Sequence, residues 1–213
     1  PASYTNTNDD VGIFSVVTGG TIKNLLLENI VVTATDRTNV GILVGRVESG
    51  TIQKVGVQGT SSVLGLNYVG GLIGRFRGGS ITESFSLATA TATSLDAGGL
   101  IGRIECNGNI NISNSYARGA VSTGSYYSGG FVGEVNGCSP SYTMSISKCY
   151  STGALTSSYT PYGFGLISLG LNDTASGNLY DSTTTGLTDP TYAPYRTTGQ
   201  MQNIVTYLNL GFD

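Results

Sequence analysis

Four strings decide the fold: VGILVGRV (40–47), VGGLIGRF (69–76), AGGLIGRI (97–104) and SGGFVGEV (128–135). Degenerate relatives flank them, VGIFSVV at 11–17 and YGFGLIS at 162–168, so the pattern recurs with a period of 28–33 residues. A second motif trails each copy: TIKNLLLEN from Thr21, TIQKVGVQG from Thr51, SITESFSLA from Ser80, NISNSYARG from Asn111 and SISKCYSTG from Ser145. Self-similarity at a fixed period is the signature of a repeat architecture.

Within each repeat the segments are short, rich in Val, Ile, Thr, Tyr and Phe, and separated by Gly, Ser and Asn, which is strand and turn chemistry. One repeat cannot bury its own apolar side chains. Copies stacked about 4.8 Å apart bring equivalent residues into register and make a continuous core. The expected fold is all-β: a single-domain parallel β-solenoid over 1–195, about six coils starting near 11, 40, 69, 97, 128 and 162. A tail at 196–213 follows, in which Met201, Ile204, Val205 and Leu208 are spaced as one face of a short amphipathic helix.

Four inward ladders are expected. They are Leu43, Leu72, Leu100, Phe131; Val47, Phe76, Ile104, Val135; Ile22, Ile52, Ile81, Ile112, Ile146; and Leu26, Gly56, Phe85, Tyr116, Tyr150. Strict alternation turns Val44, Ile73, Ile101 and Val132 outward unless Gly45, Gly74, Gly102 and Gly133 form a bulge or corner. Two polar columns fall in the same register, Arg46, Arg75, Arg103, Glu134 and Glu48, Arg77, Glu105, Asn136. They read as solvated surface pairs.

The 213-residue chain has only 11% charged residues, 32 glycines and a formal net charge of −3. Its basic residues are scattered singly, so no stripe exists to neutralise a run of phosphates and no nucleic acid partner is expected. No apolar run reaches the roughly 18 residues that span a bilayer, and 1–10 lack a charged, then apolar, leader, so the chain reads as a mature segment without membrane insertion. Histidine is absent, which removes the commonest general base and metal ligand. No catalytic residue, cofactor or metal is expected.

At this point the repeat resembles a known one. Gly-Gly-Leu-Ile-Gly at 70–74 and 98–102, followed by Ile-x-x-Ser-Phe/Tyr, is similar to the GLUG repeat, as are Asn114 to Val121 and Lys148 to Leu155. Asn178-Leu179-Tyr180-Asp181 with Ser182 to Gly186, then Thr197 to Met201, resembles the segment that closes such arrays and leads into a short helix. The resemblance implies a secreted or cell-surface, adhesin-like protein, and it implies location and role, not a reaction.

Three kinds of candidate residue remain. Cys106 and Cys138 fall on adjacent coils and form a candidate disulfide, while Cys149 takes a small, buried slot as a free thiol. Two sequons, at Asn111 and Asn172, are candidate glycosylation sites. Thr60, Ser62, Thr89, Thr91, Ser122 and Thr156 are expected to form hydroxyl ladders on a flat face, able to bind carbohydrate or ice. Asn6, Asn8 and Asp10 alternate like the opening of a calcium loop but lack its glycine and closing glutamate. Glu48, Glu105 and Glu134 are the carboxylates from which a polysaccharide-degrading site would be drawn, and each has an arginine neighbour that explains it.

The expected function is therefore a non-catalytic extracellular structural or adhesive module: a stalk, adhesin passenger or filament subunit. Head-to-tail self-association through the solenoid ends, or a surface glycan, is the expected partnership. A carbohydrate- or ice-binding solenoid is the alternative, and a polysaccharide-degrading β-helix enzyme the third reading.

Overall fold

The computed structural model describes residues 9–191 and 193–212. The chain winds into about six stacked coils whose strands pair in parallel, an all-β parallel β-solenoid. One sheet runs along the stack through Asp10–Val11, Asn39–Gly41, Val69–Gly70, Ala97–Gly98, Ser128–Gly129 and Pro161–Tyr162, in sequence order. A second, larger sheet wraps two corners, and in the first two coils its strands are continuous, Phe14–Glu28 and Val44–Gln58. A third contains Val31–Ala34, Ser62–Gly65, Thr89–Ala92, Val121–Thr123 and Leu155–Ser157.

The repeat strings build the corner between the first two sheets. Val44, Ile73, Ile101 and Val132 are fully buried, as are Val47, Phe76, Ile104 and Val135, while the arginines between them face out. Strict alternation thus fails, because the glycine between the two classes breaks the period of two. Glycine is required there by close backbone approach, since a Cβ on Gly102 would lie 2.4 Å from the Tyr68 carbonyl carbon and 2.5 Å from the Val69 nitrogen; at the start of the same corner, a Cβ on Gly98 would collide with the Ile101 carbonyl and lie 2.6 Å from the Gly133 nitrogen.

The ladders of Leu43, Val47 and Ile52 and their equivalents are inward, with Ile22 in the end coil half-buried. The fourth expected ladder is not. Leu26 is 51% exposed, and Phe85, Tyr116 and Tyr150 stack outside the solenoid with ring centroids 5.0 and 4.9 Å apart. The cause lies two residues earlier. Asn24, Lys54, Glu83, Asn114 and Lys148 adopt left-handed φ angles of 50–56°, one corner residue per coil, which resets which positions point inward. Gly56 is the gap into which the Phe85 ring packs.

The position after that corner carries a polar ladder inside the core. The Val55 N–H donates to Ser84 Oγ at 3.2 Å, the Ser84 N–H to Ser115 Oγ at 3.1 Å, and the Cys149 N–H to Asn178 Oδ1 at 3.0 Å. Buried hydroxyls survive here because each also donates to a carbonyl two residues back, Ser84 to Thr82 and Ser115 to Ser113. Cys149 takes a serine's place in this ladder as a buried free thiol, donating to the Ser147 carbonyl, and burial pushes it up to about 12. Cys106 and Cys138 form a disulfide between successive coils, with Cα atoms 4.9 Å apart.

The two ends differ. At the N-terminal end the Phe14–Glu28 strand pairs on one side with Val44–Gln58, and Ile13, Phe14, Val16, Leu26 and Val31 are exposed. At the C-terminal end Tyr180 is buried, its hydroxyl donates to the Asp189 carbonyl at 2.9 Å, and Tyr195–Arg196 adds to the Leu179–Asp181 strand. Ala193 joins the core and Leu187 packs against it.

The tail departs from its expected single helix. Two short helices form, Thr198–Met201 and Ile204–Leu208, because Asn203 caps the second by accepting from the Val205 N–H. Of the expected apolar face Met201 is buried, whereas Ile204, Val205 and Leu208 are exposed.

Candidate functional site

The expected hydroxyl face is interrupted. Ser62 pairs with Thr89 and Leu64 with Thr91, two residues off the expected register, so the columns read Val31, Ser62, Thr89 and Thr33, Leu64, Thr91, Ser122, Thr156. Thr60 lies before the strand and hydrogen-bonds the Asn29 side chain through its N–H at 3.0 Å. Ser62 follows Ile52 by ten residues where Thr89 follows the equivalent Ile81 by eight, which accounts for the shift, and Leu64 breaks the run of hydroxyls. Asn111 is exposed on the Ile110–Ser113 strand, and Asn172 is exposed in a loop where its amide donates to the Pro140 carbonyl at 3.4 Å.

The charged columns hold the expected register but are more than solvated pairs. Arg77 spans Glu48 at 3.0 Å and Glu105 at 3.5 Å, Arg75 bonds Glu105, and Arg103 bonds Glu134 at 2.9 Å. All three glutamates considered for glycan cleavage are thus held by arginine. Two buried aspartates extend the network. Asp10 accepts from Arg46 at 3.0–3.2 Å and from Asn39 at 2.6 Å, and Asp96 from Arg103 at 3.2 Å. Asp10 is therefore occupied by protein partners, while Asn6 and Asn8 lie outside the described residues. No cluster of three metal-ligating side chains occurs among the described residues. The Tyr68 ring lies under the Arg75 and Arg103 guanidinium groups, at 5.6 and 4.7 Å.

Asp96 is the titratable feature of this face. Burial, then its hydrogen bond to Glu134 and that neighbour's charge, push its carboxyl up to about 7, against the downward pull of Arg103 and the Tyr127 N–H. A folded pKa above the unfolded one means that the native state holds the extra proton. The corresponding stability is complete below about pH 4 and disappears as pH rises through the folded value. The wild-type thermal midpoint should thus fall over this window relative to Asp96→Asn, which cannot ionise; parallel profiles for the two proteins would exclude the effect.

One concavity collects convergent polar groups. A pocket of about 360 Å³ opens where the C-terminal helices meet the outer aromatic stack, a size at the lower end of small-ligand sites. Its floor is set by Asp181, which caps the helix Ser182–Thr185 by accepting from the Thr183 N–H at 2.8 Å and the Thr184 N–H at 3.4 Å. The same carboxylate accepts from the Thr198 hydroxyl at 2.7 Å, tying the helix Thr198–Met201 to the stack. That helix begins with a capping box between Thr197 and Gln200. Tyr150 and Tyr207 meet edge to face at 5.6 Å and form the aromatic wall, and Arg118 and Thr152 enter from the solenoid side. Burial first, then the neighbouring tyrosines, pushes Tyr150 up to about 12, so its hydroxyl stays protonated.

None of the pocket residues was singled out as a site from the sequence. The Asp-Ser-Thr-Thr and Thr-Thr-Gly-Gln signals were legible as helix starts, but nothing local placed Arg118 and Thr152, from two earlier coils, beside them.

No protein-family model and no solved structure matches the chain. A stretch of 67 residues, 31% of the chain, is 37% identical to Halomucin of Haloquadratum walsbyi (strain DSM 16790 / HBSQ001). The match spans 1% of that protein's length.

Proposed function

We propose that this chain is a non-catalytic structural module of an extracellular protein, built from GLUG-like repeats, whose N-terminal face stacks on another β-stack. The observation that carries the reading is the contrast between its ends. Among the described residues, a 15-residue edge strand flanked by exposed Val31 and Ile13 presents unpaired backbone and apolar surface, while the opposite end is covered by its own chain. The inter-coil disulfide supports an oxidising, extracellular setting, and the partial likeness to Halomucin is compatible with it. The arginine-held glutamates and the absence of histidine support a role without catalysis.

Head-to-tail stacking would displace the Tyr195–Arg196 strand, so the occupant assigned to the open end is a second copy, edge to edge about a two-fold axis. Mass photometry over a concentration series is expected to show a dimer that dissociates on dilution. Val16→Lys and Leu26→Lys, both at exposed edge positions, are expected to leave monomer with an unchanged thermal midpoint. Wild-type protein that stays monomeric throughout, or edge variants that dimerise equally well, would overturn the stacking.

A further inference from the structure

The pocket under the C-terminal helices is bordered by Arg118, which no carboxylate of the described residues answers. We propose that it binds an acidic sugar unit, a pyranose carrying a carboxylate, with Arg118 as the anion-recognising group.

Arg118 supplies the first argument. Arg46, Arg75, Arg77 and Arg103 are all committed to carboxylates on the other face, but among the described residues no carboxylate oxygen lies within 4.0 Å of Arg118. Its guanidinium borders the pocket, and its charge is felt by Tyr116, Tyr150 and Tyr207. A guanidinium offers a planar fork of donors that matches a carboxylate in a bidentate pair.

Asp181 supplies the second. It is the carboxylate of this pocket, and it is buried and already accepts from two backbone N–H groups and the Thr198 hydroxyl. Its charge is thus answered by the helix start it caps, which leaves Arg118 available to a ligand.

The remaining lining fits a polyol. Thr152 and Gln202 add donors and acceptors, and the Thr184 hydroxyl, which donates to the Asp181 carbonyl at 3.3 Å, adds an acceptor, while Tyr150 and Tyr207 supply apolar wall. At about 360 Å³ the space suits one sugar ring rather than a chain of them, so the unit bound is a chain end or a side branch. This site is independent of the stacking at the opposite end, and its test does not depend on oligomeric state.

Titration calorimetry with glucuronate and galacturonate, using glucose and galactose as neutral controls, reads the proposal directly. The acidic sugars are expected to bind at least tenfold more tightly than the neutral pair and to weaken with added salt. Arg118→Gln, an exposed position, is expected to lose tenfold or more of that affinity with an unchanged thermal midpoint. Arg118→Lys should recover part of it, since charge remains and the fork does not. Thr184→Val should weaken acidic and neutral sugars alike. Equal binding of neutral and acidic sugars, wild-type affinity in Arg118→Gln, or no binding of either acidic sugar at concentrations on the order of 10 mM would overturn the assignment.

Discussion

Gly98→Val is expected to lose about 3 kcal/mol of stability or more, a fall in the thermal midpoint of roughly 6–12 °C for a chain of this size. The new Cβ would overlap the Ile101 carbonyl oxygen and approach the Gly133 nitrogen within 2.6 Å. Both obstacles are backbone, and both belong to strands held by parallel ladders on each side, Ile101 between Ile73 and Val132. No side-chain rotation can relieve such a clash, so the coil must open. Gly199→Ala is the matched control, since nothing lies within 4 Å of its added Cβ and it sits in the helix Thr198–Met201. There the substitution should be neutral or stabilise by up to about 1 kcal/mol. Circular dichroism melts of the two variants suffice, and a Gly98 variant melting with the wild type would refute the close-packed corner.

Phe76→Ala and Phe85→Ala make the second comparison, because the same residue type occurs twice within ten residues on opposite sides of one wall. Phe76 is fully buried between Val47 and Ile104, so truncation leaves a cavity inside the stack and is expected to cost about 3–5 kcal/mol. Phe85 lies outside, half-buried, with one ring face on Tyr116 and its edge over Gly56. Its truncation gives up an aromatic pair and partial burial, roughly 1–2 kcal/mol. Urea melts that ranked the two in the reverse order would put the aromatic column back in the core.

That comparison also marks where local pattern stops being informative. Read as a strand from Ile22, alternation carries Leu26, Phe85, Tyr116 and Tyr150 inward, and their apolar character agrees. The left-handed residue at each corner overturns this parity, and in none of these five coils is it glycine, so the sequence carries no mark of it: Asn24, Lys54, Glu83, Asn114 and Lys148 share only their position. The hydroxyl register failed for a related reason. Turn length between coils varies by a residue or two, and a shift of two leaves side-chain direction intact while changing every stacking partner.

By itself the sequence determined the stack: a period of 28–33 residues, the Leu, Val and Ile ladders, the charge columns in register and cysteines on neighbouring coils all follow from repetition. Repetition is read along the chain, and stacking is its direct consequence, because no single repeat can bury its own apolar face. The tertiary structure alone decided which side of the wall the aromatic column occupies, that Asp10 and Asp96 are buried against arginine, and that the C-terminal end is covered by its own chain. It alone brought Arg118 beside Asp181 and Thr198. Those features depend on how five corners bend and on contacts between residues distant in the chain, and neither is written into a local pattern.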